Sequence, residues 1–212
     1  MDVVVLVSGR GSNLRAILDA IDAGKCDASI VGVVSDRSSA VALDLAAGRG
    51  VPTRILPLRK GDDRKLWDEA LAGEVAAFEP DLIVLAGFMR ILGSAVLQRF
   101  PGRIINVHPA LLPSFPGHNA PQDAIDAGVR ISGCTVHVVD AGVDSGPIIA
   151  QSAVPVLAED TADTLHARIQ AQEHRLLPWA IHQIAVGAIA LNPLRVRIPV
   201  TDPRRSLSVP DA

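Results

Sequence analysis

The sequence predicts an α/β protein with three layers, in which a mostly parallel, Rossmann-like sheet lies between helices. Short runs of β-branched residues, such as VVVLV at 3–7, alternate with segments whose apolar residues recur at helical spacing, such as 14–22. The strand runs are continuously apolar, which is typical of strands buried on both faces. The chain has 212 residues, 49% of them hydrophobic, and this is enough to form one well-buried core.

The predicted elements alternate regularly as far as residue 107. We expect strands at 3–7, 29–34, 53–56, 81–87 and 103–107, and helices at 14–22, 42–50, 62–78 and 94–100. A proline-rich loop and a short helix containing QDAIDAG follow.

The pattern changes in the last third of the chain. The strands predicted at 133–139 and 147–156 are joined by DAGVDSG, which is too short for a parallel crossover, so we expect an antiparallel pair. A long C-terminal helix is predicted over 160–188, with Asp160 or Thr161 as its cap. The proline within it, at position 178, is expected to kink or interrupt the helix.

Composition and charge argue against several kinds of partner. The net charge of −3 does not favour general binding to nucleic acid or to an anionic membrane. No apolar window is long enough to span a bilayer, and the short run after Asp2 is interpreted as a strand rather than a signal peptide. Cys26 and Cys134 lie far apart and the six histidines lack zinc-binding spacing, so we expect no metal and a cytoplasmic location. We predict a single domain over 1–192, a partly coiled tail over 193–212, and a monomer or homodimer.

The first strand leads into a glycine-rich loop, SGRGSNL, which opens a helix. Such a turn presents free backbone N–H groups and the positive end of a helix dipole to an anion. Gly11 permits close approach, and Ser12 and Asn13 add side-chain donors, so a phosphate is the favoured ligand, although any α/β protein needs a tight turn here.

The loop lacks the GK[ST] of a P-loop and the third small residue of a dinucleotide fingerprint. Asp36 keeps a nicotinamide-dependent oxidoreductase open, because it could hold a ribose hydroxyl.

The segment NVHPALLP places polar side chains at the end of a predicted strand. Asn106 and His108 are two residues apart and therefore face the same side, at an edge where ligands bind in parallel sheets. Pro109 ends regular pairing there. Asp144 can add a carboxylate, although each of these residues also has a purely structural explanation. These three groups suit a reaction through a tetrahedral intermediate. The amide would stabilise an oxyanion, the imidazole would be cationic, and the carboxylate would relay protons. Because no GxSxG motif is present, we expect the nucleophile to come from a substrate.

These motifs together resemble those of glycinamide ribonucleotide formyltransferases, which are folate-dependent enzymes of purine synthesis. The resemblance covers about residues 3–190 and runs through SGRGSNL, DLIVLAGFMRIL, NVHPALLPSFPG, GCTVHVVDAGVDSGPIIAQ and RIQAQEH. It implies the formyltransferase fold and transfer of the formyl group of 10-formyltetrahydrofolate to the amine of 5′-phosphoribosyl-glycinamide, without a metal.

The resemblance also implies roles for individual residues. The catalytic positions are matched by Asn106, His108 and Asp144. The phosphate loop and the site for the ribosyl-glycinamide portion are matched by Gly11, Ser12, Asn13, Gln170 and Glu173. The folate-binding positions are matched by Arg64, Met89, Arg90, Ile91, Leu92, Asn106, Asp140, Ala141, Gly142, Val143 and Asp144.

One stretch departs from the family pattern, and three other functions stay open. Pro121 stands where histidine is frequent, which leaves the roles of His118 and Asn119 undecided. The first is a methionyl-tRNA formyltransferase, although such an enzyme needs a basic tRNA-binding extension. The second is a formyltetrahydrofolate hydrolase, although such an enzyme normally carries an extra N-terminal domain. A nucleotide-binding regulator with an inactive site would bind ligands without transferring a formyl group.

Overall fold

The computed structural model of the chain describes residues 1–191, so the tail predicted over 193–212 lies outside the described residues. The strands are β1 (Asp2–Val7), β2 (Ser29–Ser35), β3 (Thr53–Ile55), β4 (Leu82–Leu85), β5 (Ile104–His108), β6 (Ile131–Val138) and β7 (Ile148–Pro155). The helices are α1 (Ser12–Asp22), α2 (Val41–Ala47), α3 (Arg64–Ala76), α4 (Ser94–Arg99), α5 (Ala120–Asp126) and α6 (Ala162–Ala185). The predicted alternation of strands and helices is confirmed.

Within residues 1–191 the strands form one sheet in the order β3-β2-β1-β4-β5-β6-β7. The pairings among β1 to β5 are parallel. β6 is antiparallel to both β5 and β7, so the predicted antiparallel pair is confirmed, and the antiparallel register also reaches β5. This register places Asn106 opposite His137.

The central strand β1 shows why the fold has three layers. Its side chains point alternately to the two faces of the sheet. Val3 and Val5 belong to one buried cluster, which includes residues of α1 and α6, whereas Val4 and Leu6 belong to another, which includes residues of α3 and α4. All four are fully buried. Because burial of such a side chain stabilises the fold by about 1.5–3 kcal/mol, a continuous apolar strand requires helices on both faces.

The last helix, α6, begins at a capping box. The side chain of Thr161 accepts a hydrogen bond from the backbone of Thr164, and the Thr164 side chain accepts one from the backbone of Thr161. The helix then continues through Pro178, so the expectation that this proline interrupts it is wrong. Leu176 and Leu177, which immediately precede Pro178, are both fully buried. Their packing against the core outweighs the single backbone hydrogen bond that proline removes.

The sheet order opens a crevice at its carboxyl edge. β1 has β2 on one side and β4 on the other. The loops that leave the carboxyl ends of β1 and β4 therefore turn away from each other and leave a crevice between them. In open α/β sheets this switch point is where ligands bind. The glycine loop after β1 and the segment 86–93 after β4 both lie here, beside the end of β5.

We predict that Gly11 tolerates no side chain. It has a φ of 77°, and a Cβ there would lie 2.7 Å from Ala42 Cβ, so Gly11→Ala should lower the free energy of unfolding by about 2–5 kcal/mol. Gly24, at the other end of α1, has a φ of 66° with nothing within 4 Å of its Cβ position. Gly24→Ala is therefore the matched control for backbone strain alone, at about 1–2 kcal/mol. Equal losses for both variants in urea unfolding would contradict the overpacking at Gly11.

Candidate active site

Among the described residues 1–191, two adjoining cavities open at the carboxyl ends of β1, β4 and β5. The smaller cavity, about 330 Å³, lies between the glycine loop and α6. The larger cavity, about 640 Å³, lies between the segment after β4, the end of β5 and the loop 140–144. Both are lined by Gly87, Met89, Val107, Pro109 and His166. Two ligands bound in the two cavities would therefore lie next to each other.

The smaller cavity brings together the residues predicted to bind a phosphorylated substrate. The positive φ of Gly11 turns the chain into α1. The hydroxyl of Ser12 accepts a hydrogen bond of 2.9 Å from Gln170 Nε2, and Asn13 Nδ2 donates a buried hydrogen bond of 3.0 Å to Glu173 Oε2. These contacts join the start of α1 to the middle of α6 across 158 and 160 residues of sequence.

Glu173 is an acidic side chain held almost out of contact with water. It is 3% exposed, and burial raises the pKa of its carboxyl group, an effect that the hydrogen bond from Asn13 only partly offsets. The side-chain oxygen of Asn13 is also buried and has no hydrogen-bond partner within the described chain. The wall of the smaller cavity thus includes a hydrogen-bond acceptor that residues 1–191 leave unsatisfied.

Two arginines that the sequence analysis did not select also line the smaller cavity. Arg10 lies within the glycine loop, and Arg37 follows β2. Both are exposed, and within residues 1–191 neither guanidinium group has a hydrogen-bond or ion-pair partner. Together with the N-terminus of α1, they make this end of the site attractive to an anion. Their position next to the ends of adjacent parallel strands was the available sequence signal.

The larger cavity contains a cluster around the carboxylate of Asp144, which adopts a left-handed backbone with a φ of 51°. His108 Nδ1 lies 3.3 Å from Asp144 Oδ2, and His137 Nε2 lies 3.5 Å from Oδ1. The backbone N–H of Gly117 donates to Oδ2 at 2.9 Å. The Asn106 amide nitrogen lies 3.2 Å from His137 Nε2. The three residues predicted to be catalytic therefore do converge.

The surroundings of Asp144 keep its carboxyl group ionised. Burial raises the pKa of Asp144, but the hydrogen bond with His137, the Gly117 N–H and the charge of His108 together outweigh it and lower the pKa. On the side of the His108 ring away from Asp144, Nε2 lies 2.8 Å from the carbonyl oxygen of Phe115. Both ring nitrogens of His108 thus face acceptors, which is the arrangement that an imidazolium with two N–H groups satisfies.

His137 is a functional candidate that the sequence analysis missed. Its Nδ1 lies 3.0 Å from the carbonyl oxygen of Val138, so Nδ1 carries the proton that this contact requires. A neutral ring can then accept at Nε2 from the Asn106 amide, whereas a protonated ring can donate to Asp144. His137 therefore couples the orientation of the amide to the charge of the carboxylate. The sequence places it on a strand, but only the antiparallel register reveals its partner.

Asp36 has a structural role that removes the basis of the nicotinamide alternative. Its side chain is fully buried and lines neither cavity, and Arg90 Nε donates to Asp36 Oδ2 at 2.7 Å. The carboxylate that would have held a ribose hydroxyl instead anchors an arginine of the larger cavity.

The segment after β4 is held in place from two further directions. The backbone N–H of Met89 donates to the hydroxyl of Ser8 at 2.8 Å. Arg64 donates to the carbonyl oxygen of Ile91, and its guanidinium group lies 4.8 Å from the centre of the Trp67 ring. Arg64 therefore supports the wall of the larger cavity from outside and does not itself line it.

The other predicted folate-binding residues divide as follows. The larger cavity is lined by Met89, Arg90, Ile91, Leu92, Asp140, Gly142 and Val143. Ala141 is not among the lining residues. In the stretch that departs from the family pattern, His118 and Pro121 line the larger cavity, whereas Asn119 occupies the cap position of α5.

Residues 1–191 contain neither a candidate metal site nor a candidate membrane span. No group of three or more histidine, cysteine, aspartate or glutamate side chains in this part of the chain is arranged to hold a metal ion. None of the helices described there has the length and apolar character needed to cross a membrane.

Comparison with known proteins first defines the class. Residues 1–181 match the formyl transferase family, which is the class of protein that this sheet and this site define. The phosphoribosylglycinamide formyltransferase of Mycobacterium tuberculosis is 49% identical over 189 residues, covering 89% of this chain and 87% of the relative. The enzyme of that name from Escherichia coli K12 is 40% identical over 192 residues, covering 91% of each chain. The crystal structure of glycinamide ribonucleotide transformylase 1 from Symbiobacterium toebii matches with a TM-score of 0.89 at 45% identity, covering 93% of each chain.

The chain therefore belongs to the formyl transferase family and, within it, to the phosphoribosylglycinamide formyltransferases. The resemblance and the fold class expected from the sequence are confirmed.

The raised pKa of Glu173 predicts a stability cost that depends on pH. Below about pH 4.5, the ordinary pKa of this side chain, it is protonated in both folded and unfolded states. As the pH rises, the unfolded chain ionises first, so the folded protein loses stability relative to a variant with a neutral side chain. Glu173→Gln should therefore unfold at higher urea concentration than wild type at neutral pH, and the difference should vanish in acid.

Asp144→Asn is the matched control with the opposite sign. The folded pKa of Asp144 is lowered, so its charge stabilises the native state above the ordinary value of 3.8, and this contribution is lost as the pH falls through the folded pKa. The asparagine variant should be less stable than wild type at neutral pH and should approach it in acid. Parallel pH dependences for the two variants would contradict the electrostatic environments described here.

Proposed function

We propose that this protein transfers the formyl group of 10-formyltetrahydrofolate to the amine of 5′-phosphoribosyl-glycinamide, yielding phosphoribosyl-N-formylglycinamide and tetrahydrofolate in de novo purine biosynthesis. The observation that carries the proposal is the junction of the two cavities. One cavity has an anion-binding loop, the other has the Asp144 cluster, and they share a wall. The names of the relatives reported above support the same reaction.

The acceptor substrate occupies the smaller cavity in this proposal. Its phosphate meets the backbone N–H groups of Gly11, Ser12 and Asn13 and the positive end of α1. The ribosyl-glycinamide portion then lies along α6, where Gln170 and Glu173 line the cavity. The amine points toward the larger cavity.

The formyl donor occupies the larger cavity. The exposed side chains of Met89, Ile91 and Val143 give this cavity apolar surface suited to a flat ring system. The segment after β4 supplies backbone groups that can hydrogen-bond the pterin, and the loop 140–144 lies over it. No metal ion takes part in the proposed steps.

The chemistry proceeds through a tetrahedral intermediate. The amine of the acceptor attacks the formyl carbon, a new C–N bond forms, and negative charge develops on the formyl oxygen. The Asn106 amide donates a hydrogen bond to that oxygen, and the cationic His108 stabilises the charge. The amine loses a proton, which Asp144 relays through water toward N10 of the folate, and the C–N10 bond breaks as N10 gains a proton.

His108 needs one local change in order to donate directly. Its Nε2 is bound to the carbonyl oxygen of Phe115, which has a φ of 55° in the proline-rich loop. The developing oxyanion is a stronger acceptor than a neutral carbonyl, so exchange of Phe115 for substrate is favoured as the reaction proceeds. Asp144 remains in contact with Nδ1 of His108 during this exchange and maintains the orientation of the imidazole ring.

The proposal predicts that each of the three catalytic side chains is needed for turnover. Asn106→Ala, His108→Ala and Asp144→Ala should each lower kcat by about 10²–10³-fold, because each removes oxyanion stabilisation or proton transfer. Loss of the formyl group from 10-formyltetrahydrofolate, followed with and without phosphoribosyl-glycinamide, measures this. Circular dichroism establishes that each variant is folded.

Three outcomes of that assay and of calorimetric binding measurements would contradict the proposal. Wild-type turnover by His108→Ala would remove the mechanism. Loss of the formyl group without the acceptor would indicate a hydrolase. Calorimetric binding of either ligand without transfer would indicate a regulator with an inactive site.

The two arginines whose guanidinium groups have no partner within residues 1–191 predict a salt-sensitive affinity for the acceptor. Arg10→Ala and Arg37→Ala should each raise KM for phosphoribosyl-glycinamide roughly three- to tenfold and weaken its dependence on salt, because exposed charges act through a screened field. KM for the folate should not change. Arg99→Ala is the matched control, because it removes one exposed charge at the C-terminal end of α4, just before the amino end of β5 and away from the carboxyl ends of the strands. An equal effect of Arg99→Ala would mean that only net charge matters.

The remaining expectations about the whole protein are part of this proposal. We expect it to act in the cytoplasm on small-molecule substrates, as a single domain over 1–192 and as a monomer or homodimer. Size-exclusion chromatography with light scattering, at two protein concentrations, measures the assembly.

A further inference from the structure

His166 lies on the wall that the two cavities share. Among the described residues that line both cavities, it alone has a side chain with a hydrogen-bond donor; the others are glycine, methionine, valine and proline. It is half-buried, and within residues 1–191 its ring has no hydrogen-bond or ion-pair partner. An imidazole at this junction therefore has unused hydrogen-bonding capacity facing the space that substrates would fill.

The position of His166 on α6 aligns it with two residues already assigned to the acceptor. Gln170 is four residues further on and Glu173 seven, so the three side chains share one face of the helix. Gln170 and Glu173 are each bound to a side chain at the start of α1. His166 is one helical turn nearer the helix N-terminus and is not tied in this way.

We propose that His166 binds the acceptor substrate directly, through a hydrogen bond to its ribosyl-glycinamide portion. The inference rests on the proposed function. An acceptor whose phosphate lies at α1 and whose amine reaches the Asp144 cluster must pass the shared wall, and its sugar and amide groups carry the donors and acceptors that an imidazole can bind. His118, by contrast, lines only the larger cavity.

The test compares binding of the two substrates to variants of His166. His166→Ala should raise the Kd of phosphoribosyl-glycinamide, measured by calorimetry without folate, about tenfold, which is the effect of one hydrogen bond. KM for the acceptor should rise by the same factor, while kcat and KM for 10-formyltetrahydrofolate stay within about twofold of wild type. His166→Leu, which fills the space without a polar atom, should show the same loss.

Asp163→Ala is the matched control, because this exposed residue lies on the same helix and lines neither cavity. It should bind the acceptor like wild type. An unchanged acceptor Kd in His166→Ala, recovery of the wild-type Kd in His166→Leu, or an effect confined to the folate would overturn the assignment. Absence of formyl transfer by the wild-type protein would instead overturn the proposed function, so the two failures are distinguishable.

Discussion

The carboxylate of Asp144 is the point at which the parts of the site are joined. It is partly withdrawn from water, so its charge must be met by the protein, and it is met from three directions. His108 comes from β5, His137 comes from β6, and the N–H of Gly117 comes from the proline-rich loop. Each contact fixes one wall of the larger cavity relative to the others. The left-handed backbone of Asp144 is strain that these contacts sustain.

The opposite end of the site depends on groups whose burial is unfavourable in isolation. Burial raises the pKa of Glu173, which means that the folded protein disfavours the ionised form of this carboxyl group. Its contact with Asn13 nevertheless joins α1 to α6 and shapes the smaller cavity. The buried Asp36 does the same for the segment after β4 by holding Arg90. Buried acidic groups are thus placed where they define surfaces for ligands, at the cost of local stability in the case of Glu173.

Local features of the sequence were sufficient for most of the fold and for the two halves of the site. Strands, helices and the short connection before β7 follow from apolar periodicity and loop length, which act within a few residues. Gly11 and His108 were identifiable because glycine loops and prolines mark strand ends. The continuity of α6 through Pro178 was not predictable locally, since tertiary packing of Leu176 and Leu177 outweighs the intrinsic preference of proline. His137 was missed because its partners, Asn106 on β5 and Asp144 in the loop after β6, are brought to it only by the folded chain.

The sequence by itself determined the class of fold, the strand ends that carry polar groups, and the family resemblance, because these depend on periodicity and on motifs of contiguous residues. Only the tertiary structure decided that Asp36 anchors Arg90, that Arg64 supports a cavity wall from outside, and that His166 stands between two cavities. Those facts depend on contacts between residues far apart in the chain. The packing of the sheet and its helices sets the distances between such residues, and no local pattern encodes them.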